Sequence, residues 1–276
     1  MTAESPDETR RDGSEQEDLH DDIPTGRNTA HVALVSGGMD STVASAVAVD
    51  RAPKIDYLAY LDTGTGLDEN RDYVVELAHA LDQYPMVLPT PESYEAKVRE
   101  HGFPGPSRHQ MMYASLKERQ ISKLATLVGQ QQNLVLWTGV RSDESQRRMA
   151  HVSEVQEGSR WTWVAPIHDW TKQDCQDFLD ERDDLPRNDL WETLGRSGDC
   201  FCGCFGSPEE KLDLRAAGCE YHAEWIEELE MSVETGDETE VWAWGALSDT
   251  ERRGVRADRD DAQMLLCSDC GPEVAR

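Results

Sequence analysis

The chain has 276 residues, enough for one substantial α/β domain and a smaller module. Asp and Glu outnumber Lys and Arg by 55 to 27, which gives a formal net charge of −28. This acidity argues against tight non-specific binding to nucleic acid, because phosphate contacts need basic groups. No apolar run reaches membrane-spanning length, and the N-terminus lacks the apolar core of a signal peptide. We therefore expect a soluble, cytoplasmic protein with no membrane partner, and the charge indicates a halophilic, high-salt cytosol.

The first 30 residues are polar and acidic and predict a disordered leader. The segment Val32–Thr42, VALVSGGMDST, then predicts a buried strand, a tight glycine turn and a helix that begins near Asp40. Because Gly37 and Gly38 have no side chains, the backbone amides there can approach an anion, which the positive end of the helix dipole also attracts. The segment therefore predicts a phosphate-binding loop, with hydroxyl donors at Ser36, Ser41 and Thr42.

The next segments alternate between strand and helix patterns. A buried strand is predicted over Ile55–Leu61, a helix over Asn70–Leu81 and a short strand over Met86–Leu88. This order favours right-handed crossovers and a parallel sheet with flanking helices. Ligands of such sheets bind beyond the carboxyl ends of the strands, where the glycine loop and the Asp62-Thr63-Gly64 turn both lie.

Basic residues are placed at two further points. Lys117 lies in a helical stretch, Ser107–Val128, which is one helix or a pair of helices. A strand predicted over Asn133–Val140 leads into a segment with three arginines, Arg141, Arg147 and Arg148, whose planar guanidinium groups suit phosphate or sulfate oxygens. The alternative for Lys117 is an ordinary solvated charge on a helix. The alternative for the three arginines is a cluster of surface ion pairs without a ligand.

Seven cysteines in a reducing compartment indicate metal binding or redox chemistry more than disulfides. Two clustered pairs can supply four thiolates to a zinc ion or an iron–sulfur cluster. We expect Cys204 to be an alternative ligand or a spare thiol, and Cys175 and Cys219 to be small buried residues on helices. The predicted metal ligands are Cys200, Cys202, Cys267 and Cys270.

The SGGMDST loop, the DTG turn, the GFP loop before the Lys117 helix and the GVRSDES segment together resemble the phosphoadenosine phosphosulfate (PAPS) reductase family. This family is related to the N-type ATP pyrophosphatases, or PP-loop proteins. The resemblance covers about residues 32–205, although Met111, Met112 and Tyr113 stand where the family often has a Trp-Cys pair. It implies an adenine nucleotide α-hydrolase-like fold over residues 31–185, followed by a cysteine-rich module over residues 186–276.

The resemblance also implies site residues. Nucleotide binding is expected at Ser36, Gly37, Gly38, Asp40, Ser41, Thr42, Asp62, Thr63, Gly139, Arg141 and Glu144. The expected catalytic residues are Asp40, Lys117, Arg141 and Arg148.

Two chemistries are compatible with these motifs. The intact SGGxDS loop favours ATP with Mg²⁺ as the ligand and adenylation-linked sulfur transfer to an unknown acceptor, either a small molecule or a nucleic acid. The alternative is a PAPS or adenylyl-sulfate reductase that releases sulfite, although the ECG-like C-terminal motif of such reductases is missing. A non-catalytic nucleotide-binding protein is a third possibility, and a homodimer is possible in each case.

Overall fold

The structure is a computed structural model that describes residues 23–128, 133–142, 153–158, 160–207 and 209–233. Its strands are β1 (Thr29–Leu34), β2 (Tyr57–Asp62), β3 (Pro85–Pro89), β4 (Asn133–Trp137), β5 (Val155–Glu157) and β6 (Thr162–Val164). Its α-helices are α1 (Met39–Arg51), α2 (Asp68–Ala80), α3 (Tyr94–His101), α4 (His109–Tyr113), α5 (Arg119–Leu127), α6 (Lys172–Asp180), α7 (Asp189–Leu194), α8 (Glu210–Ala216) and α9 (Glu220–Ser232).

The six strands form one sheet in the order β3-β2-β1-β4-β6-β5. All neighbouring strands are parallel except β5, which runs antiparallel to β6 at the edge. The predicted α/β fold with a parallel sheet and flanking helices is therefore confirmed, with one antiparallel edge strand that the sequence did not reveal. Because β1 pairs with β2 on one side and with β4 on the other, the strand order reverses at β1, which is where ligands of open α/β sheets bind.

The predicted elements lie close to the observed ones. The largest difference is the strand predicted over Asn133–Val140. It ends at Trp137, so that residues 138–142 form a loop at the carboxyl end of β4. The helical stretch around Lys117 is almost continuous, but it contains a π-helical turn, Ala114–Glu118. Such turns are frequent at functional sites, and this one carries Lys117.

The sheet is covered by apolar packing on both faces. Helices α1, α2 and α6 pack on one face around the side chains of β1, β2 and β4, and α5 packs on the other face. A third cluster joins α3, α8 and α9 to the cysteine-rich turn at residues 200–204. Cys175 on α6 and Cys219, the N-cap of α9, are both buried.

The domain division expected near residue 185 stays a prediction. Across that position, the Asn188 amide donates to the Gly37 carbonyl at 2.8 Å, and Lys117 pairs with Asp199. The residues just after the expected boundary thus contact the glycine-loop side of the sheet. Within the described ranges, no helix is long and apolar enough to cross a membrane.

Candidate functional site

A cleft opens at the carboxyl ends of β1, β2 and β4. It lies at the position where the strand order reverses, between the glycine loop after β1 and the loop after β4. Its walls combine apolar side chains of the strand ends with hydroxyl and charged groups. The lining residues are Leu34, Val35, Ser36, Ser41, Tyr60, Leu61, Lys117, Thr138, Gly139, Val140 and Asp199.

The glycine loop has a conformation that requires glycine. Gly37 has a φ of +86°, and a Cβ there would lie 2.0 Å from Oδ1 of Asn70. Gly38 is the N-cap of α1 and has no side chain to cap the first-turn amides, so those amides are not covered by the cap residue. The Ser36 and Ser41 hydroxyls lie 3.1 Å apart and the Ser41 hydroxyl donates to the Gly38 carbonyl, which orders the loop around the helix N-terminus.

The loop after β4 approaches the start of α1 closely. A Cβ at Gly139 would lie 2.6 Å from both the Asp40 carbonyl carbon and the Ser41 nitrogen, so only glycine fits. The chain then turns to Arg141, whose Nε lies 3.0 Å from Oδ1 of Asp40. Both side chains are largely buried. Two residues predicted to be catalytic are thus brought together at the glycine loop.

The opposite wall of the cleft carries a second buried ion pair. Lys117 Nζ lies 2.8 Å from Oδ2 of Asp199, and both residues are 6% exposed. Burial and the neighbouring Asp199 charge raise the pKa of Tyr60, whose ring lines the same cleft. The Lys117–Asp199 pair therefore lines the cleft, and the Arg141–Asp40 pair lies next to the glycine loop.

The turn after β2 is hydrogen-bonded to the segment that contains Asp199. The Asp62 carboxylate accepts the Gly64 amide at 2.9 Å, and the Thr63 hydroxyl donates to the Asp199 carbonyl at 2.9 Å. The Thr65 carbonyl accepts the Phe201 amide. The DTG turn, expected to bind nucleotide, thus also supports the wall of the cleft.

Three cysteines follow Asp199 on one turn. The Cys200 sulfur accepts the Thr65 hydroxyl at 3.5 Å, and the Cys202 thiol interacts electrostatically with those of Cys200 and Cys204. The contact with Cys202 and burial raise the pKa of Cys200 well above its usual value. The pKa of Cys202 is also raised: its contact with Cys200 lowers it, but the contact with Cys204 and burial outweigh that effect. Among the described residues, no group of three metal-binding side chains has the arrangement of a metal site.

The structure places Ser36, Gly37, Gly38, Asp40, Ser41, Thr42, Gly139 and Arg141 at the glycine loop, and Lys117 across the cleft from them. Thr42 points away from the cleft, since its hydroxyl lies 2.8 Å from that of Tyr73. Cys200 and Cys202 lie on the turn beside the cleft. The remaining predicted site residues, Glu144, Arg148, Cys267 and Cys270, lie outside the described residues.

Several residues at the site escaped the sequence analysis. Asp199 is not among the predicted site residues, because nothing in the sequence pairs it with Lys117, 82 residues earlier. Asn70 and Asn188 support the loop through donations to the Ser36 and Gly37 carbonyls, both at 2.8 Å. One sequence signal could have identified Asp199: it stands directly before Cys200, a predicted metal ligand.

Comparison with known proteins places this architecture in a family. No curated protein matches the sequence significantly. The structure of PAPS reductase from Candida auris, a phosphate complex, is 19% identical with a TM-score of 0.45, over 62% of this chain and 80% of that chain. NMN synthetase from Francisella tularensis is 14% identical with a TM-score of 0.44, over 87% and 89%.

Both TM-scores lie below 0.5, so the family assignment rests on the sequence. The model of the phosphoadenosine phosphosulfate reductase domain matches residues 30–208, which include the glycine loop, Lys117, Arg141 and the first cysteines. The chain therefore belongs to the phosphoadenosine phosphosulfate reductase domain family.

Proposed function

We propose that this chain binds ATP with Mg²⁺ in the cleft and catalyses adenylation-linked sulfur transfer. The observation that carries the proposal is the cleft itself. It joins a glycine loop, the N-terminus of α1 and the Lys117 ammonium at the point where the strand order reverses. Backbone amides, a helix dipole and a buried cation are the groups that bind the phosphates of a nucleotide.

In this proposal the loop holds the departing pyrophosphate. An acceptor oxygen attacks the α-phosphorus and the bond to pyrophosphate breaks, which leaves an adenylated acceptor. A sulfur nucleophile then forms a bond to the acceptor carbon and displaces AMP. Arg141 and Lys117 offset the negative charge that develops on the leaving pyrophosphate and on the phosphorus, and Arg148 is predicted to act with them.

Asp40 fits a role beside Mg²⁺. Mg²⁺ is commonly bound through one or two carboxylates together with substrate phosphates, and Asp40 places a carboxylate in the first turn of α1, next to the loop. Arg141 holds that carboxylate in place. Asp40 would thus hold the ion together with the nucleotide phosphates.

The cysteine turn supplies two of the four thiols of the proposed metal site. Raised pKa values mean that Cys200 and Cys202 are protonated at neutral pH without a metal, and a bound ion would displace those protons. We propose that these two thiols, with Cys267 and Cys270, hold an iron–sulfur cluster, with zinc as the alternative. A cluster would supply redox or sulfur chemistry, and zinc would stabilise the fold.

The reductase is the second candidate, favoured by the family match. There a thiolate would attack the sulfonyl sulfur of PAPS and displace adenosine 3′,5′-bisphosphate. A second thiol would then attack the sulfur of that cysteine, which forms a disulfide and releases sulfite. Cys200 directly follows the cleft residue Asp199, which would place a thiol near the substrate. Its raised pKa weighs against this role, because the thiolate is the nucleophilic form.

Parallel titrations of ATP and PAPS would decide between the two. The protein is purified without oxygen in molar KCl with Mg²⁺, and its visible spectrum is recorded. We expect tighter binding of ATP, and pyrophosphate release once a suitable acceptor is added. A clear preference for PAPS would instead identify a reductase, and nucleotide binding without turnover would leave a non-catalytic binding protein.

The same sample tests the metal. A brown protein with broad visible absorption indicates an iron–sulfur cluster, and a colourless protein with bound zinc indicates a structural ion. Cys200→Ser should lower the bound metal in either case. Cys175→Ser is the matched control, because Cys175 lies on α6, in a different cluster of the core.

A further inference from the structure

We infer that Asp199 is a positioning residue that holds the Lys117 ammonium in the nucleotide cleft for contact with the ligand's phosphates. This inference rests on the proposed function, since it assumes an anionic ligand in that cleft. Sequence reasoning gave Asp199 no role. The geometry gives it one, because it lines the cleft and pairs with Lys117 at 2.8 Å.

The position of Asp199 is fixed from several sides. Its Oδ1 accepts the Ser197 hydroxyl at 3.2 Å, and its carbonyl accepts the Thr63 hydroxyl at 2.9 Å. A Cβ at Gly66 would lie 2.7 Å from that carbonyl, so the β2 turn packs directly against it. The carboxylate is therefore held by the backbone and side chains around it, and it can fix Lys117 in turn.

Lys117 needs such a partner because it is buried. An ammonium group removed from water is costly unless a paired charge and hydrogen bonds compensate for it. The pair with Asp199 supplies both the opposite charge and a hydrogen bond to the ammonium at 2.8 Å. A lysine fixed in this way loses less side-chain entropy when it contacts a ligand.

A carboxylate that lies in the cleft without positioning Lys117 would have the opposite effect on ligand binding. A negative charge in an anion-binding cleft repels the ligand, so its removal should tighten binding. If Asp199 positions Lys117, its removal should weaken binding. The sign of the change therefore separates the two roles.

The test measures dissociation constants of ATP and adenosine for wild type and Asp199→Asn by calorimetry. We expect ATP to bind at least about tenfold more weakly to the variant, a change of about 1.4 kcal/mol, whereas adenosine affinity stays the same. Unchanged or tighter ATP binding would overturn the inference. Equal losses for ATP and adenosine would also overturn it, because they indicate a purely structural role.

Two further variants make the test specific. In a Lys117→Met background, Asp199→Asn should no longer weaken ATP binding, because the residue through which Asp199 acts is gone. A further loss of tenfold there would contradict the inference. Asp213→Asn removes the same charge from an exposed position on α8 and should leave ATP affinity unchanged.

A milder variant covers the case in which Asp199→Asn does not fold. Ser197→Ala removes a hydroxyl that holds the carboxylate but keeps both charges. We expect a smaller loss of ATP affinity, about two- to fivefold, in the same direction, and tighter binding would overturn the inference. Wild-type protein that binds neither ATP nor PAPS would refute the proposed function instead, so the two failures are distinguishable.

Discussion

Two glycines and two ion pairs define the candidate site at the scale of single residues. Gly37 and Gly139 provide space where a Cβ would collide, and Arg141 and Lys117 bring positive charge to an otherwise acidic chain. Gly37 and Arg141 were recognisable from the glycine loop and the arginine segment themselves, whereas the family resemblance added Gly139 and Lys117 to the predicted site. The partner of Lys117 was not identifiable in this way.

Gly139 is expected to be essential for the contact between β4 and α1. In Gly139→Ala the new Cβ would press on the backbone of Asp40 and Ser41, which cannot move as a flexible side chain would. We expect a loss of about 1–3 kcal/mol in the free energy of unfolding, measured in urea, together with weaker ATP binding. Gly26→Ala is the control: its Cβ would make only an ordinary contact at 3.7 Å, and both quantities should stay near wild type.

Asp40 is expected to act mainly on the chemical step. In Asp40→Asn the side chain keeps its shape but loses the charge that faces Arg141 and the proposed Mg²⁺. We expect pyrophosphate release to fall by at least about 100-fold, while the dissociation constant of ATP changes by less than about tenfold. Single-turnover assays and calorimetry measure these two quantities. If Asp40→Asn releases pyrophosphate at the normal rate but binds ATP weakly, Asp40 is not a catalytic residue.

At the scale of elements, the glycine loop depends on segments that are distant in sequence. Asn70 on α2 and Asn188 before α7 donate to neighbouring carbonyls of the loop, and the Asn188 amide also donates to Asn70 Oδ1 at 2.9 Å. The loop conformation is thus held by α2 and by the start of α7. We infer that damage to these contacts affects nucleotide binding without removing any ligand contact.

Two substitutions separate the roles of Asn188. Its Oδ1 caps α7 by accepting the Leu190 amide, and its Nδ2 donates to Gly37. Asn188→Ser should keep a cap but lose the donation, so we expect weaker ATP binding with a small change in stability. Asn188→Ala should also lose the cap, which costs about 1 kcal/mol more of unfolding free energy. Equal ATP affinity in wild type and both variants would show that the loop needs no support from α7.

His222 on α9 should make the packing of α9 sensitive to pH. Burial and the nearby Arg196 charge lower the pKa of His222 to about 4, and its Nε2 has no hydrogen-bond partner among the described residues. Asp68 and the Thr65 carbonyl oppose this shift without cancelling it. The neutral form is therefore the one that the folded state favours.

Between pH 6.5 and 4 the unfolded chain binds a proton at His222 that the folded chain does not. The free energy of unfolding should therefore fall as pH drops through this window, by no more than about 3 kcal/mol from this residue. Urea denaturation at several pH values measures the slope. His222→Phe should flatten it, whereas His79→Gln, at an exposed position of α2, should leave it unchanged.

At the scale of the whole molecule, the net charge of −28 is the dominant property. Repulsion among the carboxylates destabilises the compact state, and salt screens that repulsion. We expect the melting temperature to rise by several degrees between 0.1 M and 2 M KCl. A melting temperature that is constant or falls over this range would contradict the predicted adaptation to a high-salt cytosol. The homodimer stays a prediction that light scattering in molar KCl can test.

The sequence by itself determined the order of strands and helices from β1 to β4, the parallel character of most of the sheet and the position of the glycine loop. Hydrophobic periodicity and glycine placement are local signals, so they can be recognised in the sequence without knowledge of the fold. The ends of elements were predicted less accurately. The strand that begins at Asn133 was predicted to end at Val140, three residues beyond its observed end at Trp137. It ends early because Gly139 must turn against α1, which is a contact between distant segments.

Only the tertiary structure decided which side chains meet. It paired Lys117 with Asp199 and Arg141 with Asp40, and it placed Asn188 on the loop from 151 residues away. These contacts depend on how helices and turns pack across the sheet, and no local pattern encodes that packing. The sequence thus determined which glycines and charged side chains the chain carries, and the fold decided their partners because a buried charge needs a paired charge.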